Sequence, residues 1–135
     1  MTETHWAVSN DHPPTNFEKV QEFMRAVGAP VPDKPSNPGP SRVALRRRLM
    51  AEEFFELHEA LQEGDIEHIA KELADLLYVV YGTADEYGIP MDTVFAQVHV
   101  SNMSKLVDGA IRHDGKIFKG PSYKPVDLSW LKGSV

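Results

Sequence analysis

One nine-residue stretch constrains this chain more than any other. Leu73-Ala74-Asp75-Leu76-Leu77-Tyr78-Val79-Val80-Tyr81 is apolar almost all the way round a helix, yet it carries a carboxylate at its third position. A segment hydrophobic on every side is normally buried, and an ionised carboxylate taken out of water costs several kcal/mol unless it is paired or binds metal. The fold must therefore bring something positive to Asp75.

The surrounding signals are helical. Thr15-Asn16-Phe17-Glu18 has the spacing of a capping box and predicts a first helix from about Asn16 to Val27, ended by Gly28. Ala29 to Pro40 carries prolines at 30, 32, 35, 38 and 40, which withhold the amide hydrogens that a helix or central strand needs. A stiff loop is expected there. Ser41 is the expected N-cap of a second helix running to about Gln62, and Gly64-Asp65 a turn whose aspartate caps a third. That third helix runs from about Ile66 to Tyr87 and stops at Gly88, with Pro90 beyond; a fourth follows from about Met91 to Leu106. Short links imply antiparallel neighbours, so an all-α four-helix arrangement is the simplest packing. In the tail, Ala110-Ile111-Arg112 and Lys116-Ile117-Phe118 flank His113-Asp114-Gly115, read as a hairpin-like turn or an irregular loop. The length of 135 residues suits one domain: a single domain over 1–135, with a helical core at about 15–107 and a tail at 108–135.

Helical phasing extends the problem of Asp75 to its neighbours. With Glu52 set at zero on the second helix, Leu45, Leu49, Met50, Phe54, Leu57, Ala60 and Leu61 fill an arc from about 20° to 200°, and Glu56 and Glu53 fall inside it at about 40° and 100°. Glu52 sits at its edge. On the third helix Glu72 falls between Leu76 and Val79, and Asp75 beside Val79. Glu53/Glu56 and Glu72/Asp75 are each three apart, so each pair projects from one side of its helix. A Glu-Glu-x-x-Glu run alone reads as a solvated charged face. Its apolar setting, and the second acidic pair on the next helix, favour an all-oxygen cage of the type preferred by Mg²⁺, Mn²⁺ or Ca²⁺.

Composition excludes several other chemistries. The chain has no cysteine, so disulfides, zinc–thiolate sites and thiol nucleophiles are ruled out. Its formal net charge of −6, from 14 basic and 20 acidic residues, argues against duplex nucleic acid or anionic lipid as a partner. Met1-Thr2-Glu3-Thr4-His5-Trp6 lacks the basic stretch and apolar core of a secretory signal. The longest apolar run, Leu76 to Tyr81, is far short of a membrane span, so a cytoplasmic protein is expected. The di-iron carboxylate bundles need Glu-x-x-His on two helices; here Glu56 and Asp75 stand three residues after Glu53 and Glu72.

Glu52-Glu53-x-x-Glu56, a spacer of 15 residues and Glu72-x-x-Asp75 together resemble the signature of the MazG-like all-α NTP pyrophosphohydrolases. The resemblance continues through Leu73 to Gly82 and through Val98-His99-Val100-Ser101-Asn102-Met103-Ser104-Lys105, and is nearest to a branch described as dUTP pyrophosphatases. It implies a four-helix MazG-like bundle and hydrolysis of a nucleoside triphosphate, dUTP first, between the α- and β-phosphates, giving a monophosphate and pyrophosphate. Phosphoribosyl-ATP and other dNTPs are the alternative substrates. By motif position the resemblance implies Mg²⁺, with Mn²⁺ substituting, held by Glu53, Glu56, Glu72 and Asp75. Glu52 matches a residue reaching a further metal or the attacking water; Glu52 and Glu53 are the candidates for direct catalysis.

Asn102 and Lys105 share an arc with Met91, Val94 and Val98 and are expected to point inward, where they suit sugar and phosphate oxygens. The competing reading of Lys105 is a stem snorkelling to the surface. Lys116, Lys119 and Arg112 are tail candidates for the phosphates, against ordinary solvated charge. Arg46-Arg47-Arg48 read mainly as surface or subunit-contact charges. Trp6, Phe17, Tyr78, Tyr81 and Tyr123 are candidates to stack on a base, although aromatic residues in helical registers are more often core. His58, His68 and His99 read as helix residues with satisfied rings, because Mg²⁺ prefers oxygen. Two long helices apolar over much of their circumference predict a homodimer, or a tetramer, with sites near the subunit interface. The non-enzymatic alternative is a metal- or nucleotide-binding regulator.

Overall fold

A computed structural model describes residues 12–109 and 111–133. The chain is all-helical, with α1 over Asn16–Ala26, α2 over Pro40–Glu63, α3 over Ile66–Glu86 and α4 over Met91–Ser104. A short 3₁₀ turn at Ser129–Lys132, which the sequence reading did not anticipate, follows in the tail. No strand occurs among the described residues. Contacts cluster into two compact units, Met1–Ile89 and Pro90–Val135. None of the described helices is long and apolar enough to cross a membrane.

In the first unit the expected local chemistry is present. The Thr15 hydroxyl accepts from the Glu18 amide at 3.1 Å while the Glu18 carboxylate accepts from the Thr15 amide at 2.9 Å, so the capping box closes both ways. The start of α2 differs from the expectation. Gly39, not Ser41, is the N-cap, because Pro40 takes the first helical position, where its missing N–H costs nothing and its fixed φ already suits a helix. Gly64 ends α2 in the left-handed conformation at φ 82°, and the Asp65 side chain accepts from the Glu67 amide at 3.2 Å to start α3. With two residues between them, α2 and α3 form an antiparallel hairpin: Arg46, early in α2, bonds Val79 and Thr83 late in α3.

Helix α3 is central, packing against both α2 and α1. Phe17, Val20 and Met24 of α1, Leu57 and Ala60 of α2 and Ala84 of α3 are the buried apolar residues of this unit. The expected apolar arcs are only partly covered. Phe54 and Leu61 of α2 and Leu73 and Leu77 of α3 are exposed at 64%, 56%, 47% and 53%, because the neighbours packed on these helices cover only part of their circumference.

The second unit holds α4 and the tail. The Ser101 hydroxyl donates to the Lys124 carbonyl at 2.7 Å, the Lys124 amide to the Ser104 hydroxyl at 2.9 Å and the Trp130 indole to the Gln97 side chain at 3.0 Å. The tail thus runs back along α4. Its turn is hairpin-like, as expected, with an antiparallel bridge between Ile111 and Ile117 and the Arg112 amide donating to the Lys116 carbonyl at 2.6 Å. Ala110 and Trp6, both named in the sequence reading, lie outside the described residues.

Candidate metal centre

The α2–α3 hairpin brings Glu53, Glu56 and Glu72 together: one carboxylate oxygen from each lies within 4.8 Å of the others. Their environments differ. Glu72 is buried at 3%, Glu53 half-buried and Glu56 exposed. The core-facing position expected of Glu56 is therefore corrected. It stands on the open side of the cluster, since α3 covers only part of the arc that phasing assigned to the interior.

Asp75 is also more open than its apolar stretch suggested. Its side chain is 36% exposed and pairs with Lys71 at 2.7 Å, one helical turn back. It lies close enough to raise the Glu53 carboxyl. Burial is the first cause of that rise above the ordinary glutamate value, followed by the charges of Glu56, Asp75 and Glu72, with Lys71 opposing. Glu52 stays outside the cluster, 57% exposed and 3.9 Å from Arg48 in a loose surface pair.

Two oxygens of this group stand out chemically: Glu53 Oε2 and Glu72 Oε2 are buried and have no hydrogen-bond partner. Carboxylate oxygens withdrawn from water and left unpaired are costly, and an all-oxygen set of this kind fits a hard divalent cation. Glu72 Oε1 does have neighbours. Lys71 Nζ and His68 Nε2 each lie 3.4 Å from it, and His68 Nδ1 lies 3.3 Å from Glu63. The sequence reading missed Lys71, although a lysine four residues before an aspartate on a helix is the signal for such a pair.

The other candidates belong to the second unit. Asn102 is exposed, which corrects its expected inward orientation: α4 buries only Val94 and Ser101. Lys105 is half-buried with its ammonium 5.8 Å from the Tyr123 ring, and Lys119 lies over the same ring at 4.8 Å. Lys116 is exposed, its amide donating to Asp114 at 3.1 Å. Arg112 pairs with Asp114 at 3.3 Å.

Beyond the acids, the first unit carries a second charged group, around Asp85 and Glu86 of α3, that sequence reasoning misjudged. Arg46 is not a surface charge. It is buried at 6%, donates to the Val79 carbonyl at 2.9 Å and to the Thr83 hydroxyl at 3.1 Å, and lies 3.1 Å from Glu86. Arg42 meets the other Glu86 oxygen at 2.6 Å, and Asp85 takes a two-pronged pair from Arg25 at 2.6 and 2.7 Å. Three consecutive arginines point three ways on a helix; only tertiary packing selected which one is buried. Of the aromatic candidates, Phe17 is core, its ring 5.8 Å from Tyr81, while Tyr78 packs edge-on to Phe23. Asn16, Lys19, Val20, Ala74, Leu77, Tyr78 and Tyr81 line a cavity of about 200 Å³.

Residues 20–102, more than half of the chain and including all five acids, match the profile of the phosphoribosyl-ATP pyrophosphohydrolase family. The chain belongs to that family. The phosphoribosyl-ATP pyrophosphohydrolase family is part of the MazG-like all-α superfamily. The chain is also 36% identical over 88 residues to a protein of Acanthamoeba polyphaga mimivirus described as uncharacterized. That match takes in 62% of this chain and 35% of the viral protein, so the chain spans about a third of the length of the curated relative it matches.

Proposed function

We propose that this protein hydrolyses a nucleoside triphosphate, dUTP foremost, between its α- and β-phosphates, releasing a monophosphate and pyrophosphate. The observation that carries the reading is the convergence of Glu53, Glu56 and Glu72 with two buried oxygens lacking any partner, in a chain of this family. Glu53, Glu56, Glu72 and Asp75 would hold Mg²⁺, or Mn²⁺ in its place, and Glu52, by its motif position, would serve the attacking water or a further ion. When bound, the ion supplies charge neutralisation for the triphosphate and a lowered pKa for water. The chain's own part is to hold the acids together on two neighbouring helices and to accept the water's proton at a carboxylate. Asn102, Lys105, Lys116 and Lys119 are assigned to the sugar and phosphates. Preference for dUTP follows the motif resemblance; phosphoribosyl-ATP is the second reading, favoured by the family profile itself.

The exposed Phe54, Leu61, Leu73 and Leu77 support a homodimer that covers them. Pyrophosphate release measured with Mg²⁺ and a panel of dUTP, the four standard dNTPs, oxidised dNTPs and phosphoribosyl-ATP tests the activity. Release with dUTP ahead of the rest is expected. Release with phosphoribosyl-ATP alone selects the second reading, and no release from any of them by well-folded protein overturns the enzyme in favour of a nucleotide-binding regulator.

A further inference from the structure

The acid cluster has two unlike sides. On one, Lys71 Nζ lies 2.7 Å from Asp75 Oδ2 and 3.4 Å from Glu72 Oε1, with His68 Nε2 3.4 Å from that same Glu72 oxygen. On the other, Glu72 Oε2 and Glu53 Oε2 are buried without a partner. Thus Glu72, itself 3% exposed, offers one oxygen to Lys71 and His68 of its own helix and leaves the other without a hydrogen-bond partner.

We propose that Lys71 is a displaceable counterion of the metal site, one that pairs with Asp75 and gives it up when a divalent ion binds. The inference rests on the reading of these acids as metal ligands. A carboxylate drawn into coordination at roughly 2.0–2.1 Å from a divalent ion and still touching an ammonium sets two cations close together, and their repulsion weakens the pair. Lys71 can leave cheaply. Its side chain is 67% exposed, it reaches Asp75 by a flexible four-carbon stem, and the pair is an i,i+4 contact on a helix surface. Metal binding is then an exchange of one cation for another, and the affinity is lower than the carboxylates alone would give. Until the exchange occurs, Lys71 offsets the repulsion between Glu72 and Asp75, its ammonium lying 3.4 Å from the one and 2.7 Å from the other.

Calorimetric titration of Mn²⁺ into the full chain without nucleotide separates the possibilities. Lys71→Gln should bind Mn²⁺ about fivefold more tightly than wild type, the size expected from removing one partly exposed ion pair. Lys71→Arg, which keeps the charge, should stay within about twofold of wild type on the same reasoning. In the unaltered protein, Mn²⁺ at saturation should speed acylation of the Lys71 amine, read by peptide mass spectrometry, because the ammonium is released to water. Unchanged or weaker Mn²⁺ binding by Lys71→Gln, or unchanged labelling of Lys71, overturns the counterion role while wild-type binding leaves the metal site standing. Failure of wild type to bind Mn²⁺ overturns both, and a Glu72→Gln control that binds as well as wild type assigns the ion elsewhere and removes the proposal with it.

Discussion

Replacing Asp85 with asparagine isolates the charged group at the far end of α3 from the acid cluster. Asp85 is 3% exposed and accepts two hydrogen bonds from Arg25, at 2.6 and 2.7 Å, with Gln21 at 3.3 Å. Asparagine keeps one oxygen but turns an NH₂ group toward the guanidinium, so a donor faces a donor and the Arg25 charge loses its counter-charge. Breaking a fully buried pair by removing one partner costs about 3–5 kcal/mol, and an exposed pair about 0–1 kcal/mol. The Arg25 side chain retains 13% of its exposure, which places the expected loss near the buried limit, at about 2–4 kcal/mol. For a chain of 135 residues the unfolding entropy then converts this to a fall in Tm of about 7–14 °C. Differential scanning calorimetry of metal-free protein at neutral pH measures it. A fall of less than about 3 °C would show that Arg25 is solvated once its partner is lost, and the burial argument would be wrong. A paired Arg25→Met, Asp85→Leu variant should recover most of the loss, because no lone charge is then left inside.

Gly82→Ala should destabilise by about 1–3 kcal/mol, opposite in sign to the usual gain of about 1 kcal/mol for this change within a helix. An added Cβ would lie 2.6 Å from Arg46 Nη2, which donates to the Val79 carbonyl while Nη1 of the same guanidinium pairs with Glu86; a raised Tm would refute the account. Because the Glu53 carboxyl sits above its ordinary value in the folded protein, its contribution to stability is full in acid and is lost as pH rises through that raised value. Thermal melts in chelator from about pH 4 to 7 should therefore show a smaller decline for Glu53→Gln than for wild type, and equal slopes would count against the cause given. Glu53→Gln and Asp75→Asn should each abolish pyrophosphate release while leaving the helical circular dichroism intact; near-normal turnover by either contradicts the assigned site. Sedimentation should give a dimer, and a monomer would leave the exposed Phe54 and Leu77 unexplained.

Four helices, their order and most of their ends were legible from local signals. The Thr15–Glu18 box, the five prolines of 30–40, Gly64-Asp65 and Gly88 each act within a few residues, so no tertiary context was needed to read them. The exception, at Gly39, arose because Pro40 competes for the helix start over the same short range. The acid cluster was legible for a similar reason: spacing of three on each helix and a two-residue link leave few ways to fold the hairpin other than bringing Glu53 and Glu56 to Glu72.

Depth within the fold was not legible, since helical phasing gives a direction and not the identity of what lies in that direction. It placed Glu56 and Asn102 inward, where the structure leaves both exposed, and spread Arg46, Arg47 and Arg48 over the surface, where packing buries Arg46 alone against Glu86. It read a need for positive charge at Asp75 but not that Lys71, one turn away, pairs with it. The sequence by itself determined the helices and which acids share a hairpin, because those follow from contacts within a turn or across a two-residue link. Only the tertiary structure decided which charges are buried and what neutralises them, because burial depends on where one helix ends against another, and no local pattern encodes that distance.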